Sequence, residues 1–219
     1  MHTRKETKVK NLTVDFDLLK STFPEEWIQE VLEIYNEATQ EVAALKNFNT
    51  RFFAEEKGVY VNRYTDTGIA KQDVEYFGKM LYPPNFAVLD YVINNISFFK
   101  DKKIIDNGCG IGILSVFLAV LGIKCWNYDN YDQLGDYTNN FIIKINEKMN
   151  LDIPHVAKTV EEDFDVAVTC GIWFSTEKLF NCKYYLMDTL FVEHENGTLD
   201  FKKMQHKKTY KELINFYVN

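Results

Sequence analysis

The residues of this chain whose types and spacing suit binding chemistry lie between Lys102 and Asp129, in the stretch KKIIDNGCGIGILSVFLAVLGIKCWNYD. A short apolar strand, Ile104–Ile105, closes on Asp106, and glycine follows at Gly108, Gly110 and Gly112. Glycine has no Cβ, so a ligand can lie against the backbone of such a turn, and a helix beginning there offers unpaired N–H groups. The apolar run from Ile113 to Leu121, broken only by Ser115, is too long for a strand and reads as a buried helix stopped by Gly122. A second strand, Ile123 to Tyr128, ends in Asp129. A carboxylate at that strand tip, roughly twenty residues past the turn, can accept both hydroxyls of a ribose. The chemistry written here is nucleoside recognition by a strand, a glycine turn, a helix and a second strand.

Spacing narrows the ligand. A GxGxxG fingerprint starting at Gly108 requires glycine where the chain has Ile113, and starting at Gly110 it requires glycine where the chain has Ser115. No Gly-Lys-Ser/Thr follows, which excludes a P-loop. The pattern that fits is acidic-x-Gly-x-Gly-x-Gly, here Asp106-Asn107-Gly108-Cys109-Gly110-Ile111-Gly112. In this the chain resembles the class I S-adenosylmethionine-dependent methyltransferases, whose first motif has this form and whose second strand is followed by an acidic residue. The likeness in motif covers residues 102–129, and a looser likeness in element order runs from about Pro84 to the C-terminus.

The resemblance implies an α/β fold, a doubly wound, mostly parallel sheet with an N-terminal helical extension. Residues 1–84 would form the extension and a lid, and residues 85–219 the S-adenosylmethionine-binding domain. The cofactor implied is S-adenosylmethionine. Asp106, Gly108, Cys109, Gly110 and Gly112 would meet its methionine part and ribose, Asp129 the ribose hydroxyls with Asn130 beside it, and Cys170 would stand at the mouth of the site. Asn107 occupies a position usually apolar in the family, and a local hydrogen bond tightening the turn accounts for it.

The positioning elements must come from a chain of 219 residues with 46% hydrophobic and 15% aromatic residues, enough for one domain and an extension around a substantial core. No apolar run reaches the roughly eighteen residues of a membrane span, and Met1 to Lys5 shows no signal pattern, so the expectation is a cytoplasmic protein without a membrane partner. A net charge of -7 argues against broad attachment to nucleic acid or anionic lipid. Cys109, Cys125, Cys170 and Cys182 lack CxxC spacing and read as reduced, buried thiols, with no metal site.

Ahead of the glycine turn, Thr22-Phe23-Pro24-Glu25 has a capping-box pattern and predicts a helix start. Trp27, Val31, Tyr35, Ala38, Val42 and Leu45 recur at three and four, a single apolar stripe. Packing on the parent domain is its first expected use and a homodimer seam its second. Val59–Tyr64 reads as a strand and Thr65 to Gly68 as a polar segment after it; the resemblance makes them a lid. Asp73 to Leu81 reads as a helix, and Asn85 as the cap of another bearing Phe86, Leu89, Ile93 and Ile96. Tyr76 and Tyr82 are candidate substrate-side residues, since aromatic faces stabilise cations such as a sulfonium.

Beyond Asp129, Leu134, Tyr137, Phe141, Ile145 and Met149 predict an amphipathic helix ending near Asn150. A weak strand around Ile153 to Ala157 leads to Lys158-Thr159-Val160, where the family often has an acidic residue for adenine. A stronger strand, Phe164 to Thr169, is followed by Cys170-Gly171-Ile172-Trp173, which places Trp173 as a substrate-side candidate and lacks the family's amine-gripping Asn/Asp-Pro-Pro-Tyr/Phe. A fifth strand, Tyr184 to Leu190, precedes His194, the candidate general base. Thr198–Met204 and Tyr210–Val218 are expected to close the sheet as an antiparallel pair. The expected acceptor is an O or N atom of a small molecule. The alternatives are a protein or RNA acceptor held by the basic stretch from Lys202 to Lys211, and a non-catalytic partner subunit.

Overall fold

The computed structural model describes residues 14–43, 69–78, 80–129, 135–157, 163–170, 180, 182–188, 205–210 and 214–218. The helices are α1 (Phe16–Thr22), α2 (Glu25–Ala43), α3 (Lys71–Tyr76), α4 (Pro83–Asn94), α5 (Ile96–Phe99), α6 (Ile113–Val120) and α7 (Gly135–Met149). The strands are β1 (Ile104–Asn107), β2 (Cys125–Tyr128), β3 (Val156–Ala157), β4 (Val166–Thr169), β5 (Tyr184–Asp188), β6 (Gln205–Tyr210) and β7 (Ile214–Val218). They form one sheet in the order β3-β2-β1-β4-β5-β7-β6. Strands β1 to β5 are parallel, and β7 runs antiparallel to both of its neighbours.

All four residues of β1 and of β4 are buried, which is why Ile104–Ile105 and Val166 to Val168 are apolar without alternation, and why the polar Asp106, Asn107 and Thr169 at the strand ends are enclosed too. One face of the sheet, carrying Ile104, Val166 and Leu186, shares a core with α1, α2, α4, α6 and α7. The other carries Ile105, Tyr128, Ala167, Tyr185 and Met187. The glycine turn lies where the chain's strand order reverses, between β1 and its neighbours β2 and β4.

Helix ends follow local chemistry. At the end of α6, Gly122 takes φ +73° and Ile123 N–H donates back to Leu118 O at 3.0 Å. At the end of α7, Asn150 takes φ 51°, the left-handed conformation that asparagine tolerates best after glycine.

The N-terminal helices depart from expectation. Thr22 does not cap the second helix; it ends α1, and its Oγ1 donates to Leu18 O at 2.8 Å. Helix α1 itself is capped by Asp15, whose carboxylate accepts from Leu18 N–H at 2.9 Å, while Asp15 N–H donates to the buried Asp90 of α4 at 3.0 Å. Helix α3 stops at Tyr76, shorter than expected, because Gly78 turns the chain at φ +58°. Asn85 is the third residue of α4 rather than its cap: Pro83 and Pro84 occupy the first two positions, where the missing N–H costs nothing. The closing pair is also shifted. The first strand is Gln205–Tyr210, so Tyr210 ends it rather than beginning the second, and its lysine-rich sequence hid it because polar strands at a sheet edge carry no apolar alternation. Thr198–Met204, Val59–Gly68 and Leu45 lie outside the described residues.

The apolar stripe of α2 is covered within the chain. Phe23 and Trp27 meet Phe117 of α6 at centroid distances of 4.9 and 5.1 Å, and Tyr35 meets Phe141 of α7 edge-on at 6.0 Å. Lys144 of α7 bridges Glu37 and Glu41, and Lys148 pairs with Glu37. These partly exposed ion pairs fix register more than they stabilise. Trp27, Val31, Tyr35 and Ala38 of the stripe are thus packed on the parent domain, the first of its two expected uses.

Asn107 makes no local hydrogen bond, contrary to expectation. Its amide N and O, and the Thr169 hydroxyl, are buried without a partner. The β1–β4 register puts these two residues side by side at the strand ends, one step beyond the Asp106–Val168 pair.

Two changes test these packing statements by urea denaturation. Phe117→Ala, emptying the aromatic junction of α1, α2 and α6, should cost about 3–5 kcal/mol. Thr169→Val, removing an unpaired buried hydroxyl at constant shape, should gain about 1 kcal/mol; a loss would mean that the hydroxyl has a partner.

Candidate functional site

At the carboxyl end of β1 the backbone must leave the sheet, turn and enter α6 within five residues, 108 to 112. Gly108, Gly110 and Gly112 all take positive φ, between 57° and 79°. A side chain at Gly112 would also be tightly pressed, its Cβ lying 3.0 Å from Ile142 Cδ1 and 3.2 Å from Asn127 Cγ. A Cβ at Gly110 would meet nothing within 4 Å. Gly112 is thus a packing glycine, whereas Gly110 faces open space that a bound ligand can fill to contact.

The turn is tied to the end of β2. Gly108 and Cys109 N–H both donate to Tyr128 O, at 2.8 and 3.1 Å, and Gly110 N–H donates to Asp129 Oδ2 at 2.9 Å. Asp129 is placed by β2 and by its own N–H, which donates to Ala157 O at 3.1 Å. Asn127, one residue into the strand, donates to Ser115 Oγ and Pro154 O and supports the start of α6 from below.

A cleft opens over this turn. Its floor is Asp106, Gly108 and Gly110, and Cys170 joins from the end of β4. Its opposite wall comes from the segment before β1: Tyr35 of α2, then Met80, Tyr82 and Asn85. Asp106 is 4% exposed. Burial first, and then the charge of Asp129, push its carboxyl up to about 7. Burial, then Asp106 and Asp129, hold the Cys109 thiol well above its usual range, so it is no nucleophile at neutral pH. All four cysteines are buried and none forms a disulfide.

Of the residues singled out in the sequence, Asp106, Gly108, Cys109, Gly110, Tyr82 and Cys170 line the cleft together. Gly112 and Asp129 shape it from behind. Tyr76 does not line it: its hydroxyl donates to Phe23 O at 2.9 Å and its ring packs on Phe77, so it ties α3 to the end of α1. Asn130, Trp173 and His194 lie outside the described residues. Sequence reasoning missed Tyr35 and Asn85. Tyr35 was hidden in the apolar stripe of α2, and Asn85 was read as a cap; only the docking of α2 and α4 beside the turn reveals them.

No family model matches the sequence. Among solved structures the chain is similar to TehB from Haemophilus influenzae, at 15% identity, TM-score 0.41, covering 59% of this chain and 61% of that one. It is similar to the magnesium protoporphyrin IX methyltransferase of Synechocystis PCC 6803 with bound SAM, at 14% identity, TM-score 0.43, covering 77% and 86%. It is also similar to the T. thermophilus 16S rRNA N2 G1207 methyltransferase in complex with AdoMet and guanosine, at 16% identity, TM-score 0.42, covering 64% and 43%. The chain thus spans about three fifths of TehB and less than half of the rRNA enzyme. Five parallel strands in the order β3-β2-β1-β4-β5, with β7 inserted antiparallel between β5 and β6 and the glycine turn after β1, decide the fold. It is the class I methyltransferase fold.

In a class I methyltransferase fold the carboxyl ends of β1, β2 and β4 are the binding edge, and here that edge carries a buried acid. Asp106 ionises at 3.8 when unperturbed and at about 7 when folded. The folded state therefore holds a proton that the unfolded chain has released, and the stabilisation present below the lower value is lost as pH rises to the higher one. Asp106→Asn should flatten the pH dependence of the urea midpoint across that window. It should leave the variant more stable than the parent on the alkaline side, by on the order of a few kcal/mol. Parallel pH profiles would refute a buried, titrating Asp106.

Proposed function

We propose that the chain is an S-adenosylmethionine-dependent methyltransferase acting on an O or N atom of a small molecule. The observation that carries this reading is the open, positive-φ glycine cradle at Gly110, set between the carboxylates of Asp106 and Asp129 at the binding edge of the sheet. The residues present fit the cofactor. Gly110 admits a ligand to its backbone, Asp106 accepts no hydrogen bond from a described residue and suits an ammonium group, and Asp129, held by Gly110 N–H, is a carboxylate of the kind that suits ribose hydroxyls.

When bound, S-adenosylmethionine supplies a methyl group already activated by its sulfonium, so the protein's main task is to hold the acceptor in line. The chain's own residues supply that positioning. Tyr82 and Tyr35 present aromatic surface to the cleft, suited to a cation, and Cys170 marks where β4 delivers the acceptor-side loop. The cleft's apolar and aromatic wall and the net charge of -7 favour a small acceptor. The basic residues His206, Lys207 and Lys208 lie on the edge strand β6, four strand spacings or about 19 Å from β1. There they suit protection of an exposed edge.

Calorimetric titration with S-adenosylmethionine and S-adenosylhomocysteine should show micromolar binding of each. Asp129→Asn should weaken both about tenfold, roughly the worth of one charge-assisted hydrogen bond. Incubation with pooled small hydroxyl and amine acceptors should release S-adenosylhomocysteine. Folded protein that binds neither compound sinks the cofactor assignment; binding without turnover on any pool would make the chain a partner subunit.

A further inference from the structure

Helix α2 contributes Tyr35 to the wall of the cleft, and its two halves are held by different chemistry. At its start, the rings of Phe23 and Trp27 pack on Phe117 of α6. Past Tyr35 the described side chains offer little apolar grip: Ala38 is buried, but Asn36, Glu37 and Glu41 are polar. The ring of Tyr35 itself stands edge-on to Phe141 of α7, at an interplanar angle of 84°.

What meets the second half of α2 is a polar ridge on α7. Asn140, Lys144 and Lys148 recur every fourth residue, one above another on the helix, and face Glu37 and Glu41, which have the same spacing. Lys144 Nζ lies 3.1 Å from Glu37 Oε1 and 3.0 Å from Glu41 Oε1, Lys148 Nζ lies 2.7 Å from Glu37 Oε2, and Asn140 Nδ2 donates to Glu41 Oε2. The Lys144 side chain, 19% exposed, is the most enclosed of the four charges. Bonds from Lys148 and then Lys144 hold the Glu37 carboxyl below its usual range, those from Asn140 and then Lys144 do the same for Glu41, and the two carboxylates hold the Lys144 amine above its own. The bridge therefore stays charged through neutral pH. Ion pairs this exposed add little to global stability, so their use lies in where they put the helix. Helix α7 is a fixed reference for that, because Ile142, two residues before Lys144, packs beside Gly112 of the turn.

We propose that Lys144 is a positioning residue for the cleft, bridging Glu37 and Glu41 of α2 so that Tyr35 is held against the space over the glycine turn. The proposal rests on the S-adenosylmethionine reading for the ligand and on the α2–α7 contact for the residue. One cation between two carboxylates a helical turn apart fixes α2 both along and around its axis, which a single pair does not. Tyr35, two residues before Glu37 on the same helix, moves with it. With the bridge broken, fewer molecules present a complete wall, and apparent affinity falls by that fraction. Lys144 does not line the cleft, so its effect on binding is indirect, and salt that screens the bridge weakens binding through it.

The test has a ligand-free arm and a binding arm. Without ligand, Lys144→Met, which keeps an unbranched stem and loses the charge, should speed amide hydrogen exchange between Tyr35 and Ala43 about tenfold and leave Trp27 to Val31 within about twofold of the parent. Salt at about 1 M should shift exchange of the unaltered protein in the same region and the same direction. By calorimetry at low salt, Lys144→Met should bind S-adenosylhomocysteine, which carries no net charge, about fivefold more weakly than the parent, and its affinity should depend less on salt. Lys144→Arg, which can also bridge two carboxylates, should bind within about twofold of the parent. Undiminished affinity, salt profiles parallel to the parent's, or an arginine variant as weak as the methionine one overturns the role of Lys144 and leaves the cofactor site intact. Exchange between Tyr35 and Ala43 that neither salt nor the substitution moves overturns it too, and the salt measurement decides where the variant does not fold. Failure of the unaltered protein to bind S-adenosylhomocysteine removes the cofactor reading, while the exchange measurement still decides the bridge.

Discussion

The turn after β1 depends on its attachment to the end of β2. Three consecutive N–H groups, those of Gly108, Cys109 and Gly110, are taken up by Tyr128 O and the Asp129 carboxylate. A loop of left-handed residues has no ladder of its own, and buried N–H groups without partners cost as much as lost hydrogen bonds. Strand β2 supplies the acceptors, so the cradle exists only where β1 and β2 are paired in register, Asn107 against Tyr128. Asp129 thereby has a structural duty besides any ligand it meets.

That attachment sets the electrostatics. Satisfying the turn from β2 brings the Asp129 carboxylate to the glycine loop from behind, while Asp106 near the end of β1 faces a cleft that no lysine or arginine lines among the described residues. Asp129 accepts from an N–H donor; Asp106, buried and without one among the described residues, keeps its proton to about 7. The asymmetry follows from the geometry: three of the turn's N–H groups go to the end of β2, and no described residue donates to β1's own acid. A cation placed against Asp106 repairs this deficit, because an opposite charge favours the ionised form that burial disfavours. The site is strained electrostatically in the direction that a positively charged ligand relieves.

Much of this was legible in the sequence, for reasons that differ by element. Strand β4 is buried on both faces and α6 is apolar nearly throughout, so continuous hydrophobic runs marked them, while β1 was marked by its apolar pair Ile104–Ile105 ahead of the turn, and the glycines at 108, 110 and 112 marked the turn because only glycine takes those φ values cheaply. Asp129 was found by its offset from the turn. Strand β6 was not found, because its sequence, Gln205 to Tyr210, is that of an edge strand whose partner lies on one side only. Helix α1 was missed because its seven residues are too few to show a helical apolar period, although Asp15 caps it locally, and the bond that anchors Asp15 to Asp90 of α4 is one that no local pattern carries. Tyr76 and Tyr35 exchanged expected places for the same reason: aromatic side chains are alike in sequence, and docking decides which one faces a ligand.

Docking also explains why the segment before β1 belongs to the chemistry of the site. Helices α1, α2 and α4 share their hydrophobic core with the sheet, and Tyr35, Met80, Tyr82 and Asn85 reach the cleft from that segment while the glycine turn forms the other side. Neither half has a complete cleft alone. Any ligand touching both walls binds the docked state and not the undocked one, so by mass action it stabilises the docking of α2 and α4 as well as itself. The Phe23, Trp27 and Phe117 contact, remote from the ligand, then contributes to affinity through the fraction of molecules in which the wall is in place. The aromatic junction and the cleft are in this sense one energetic unit, built on two sides of α6.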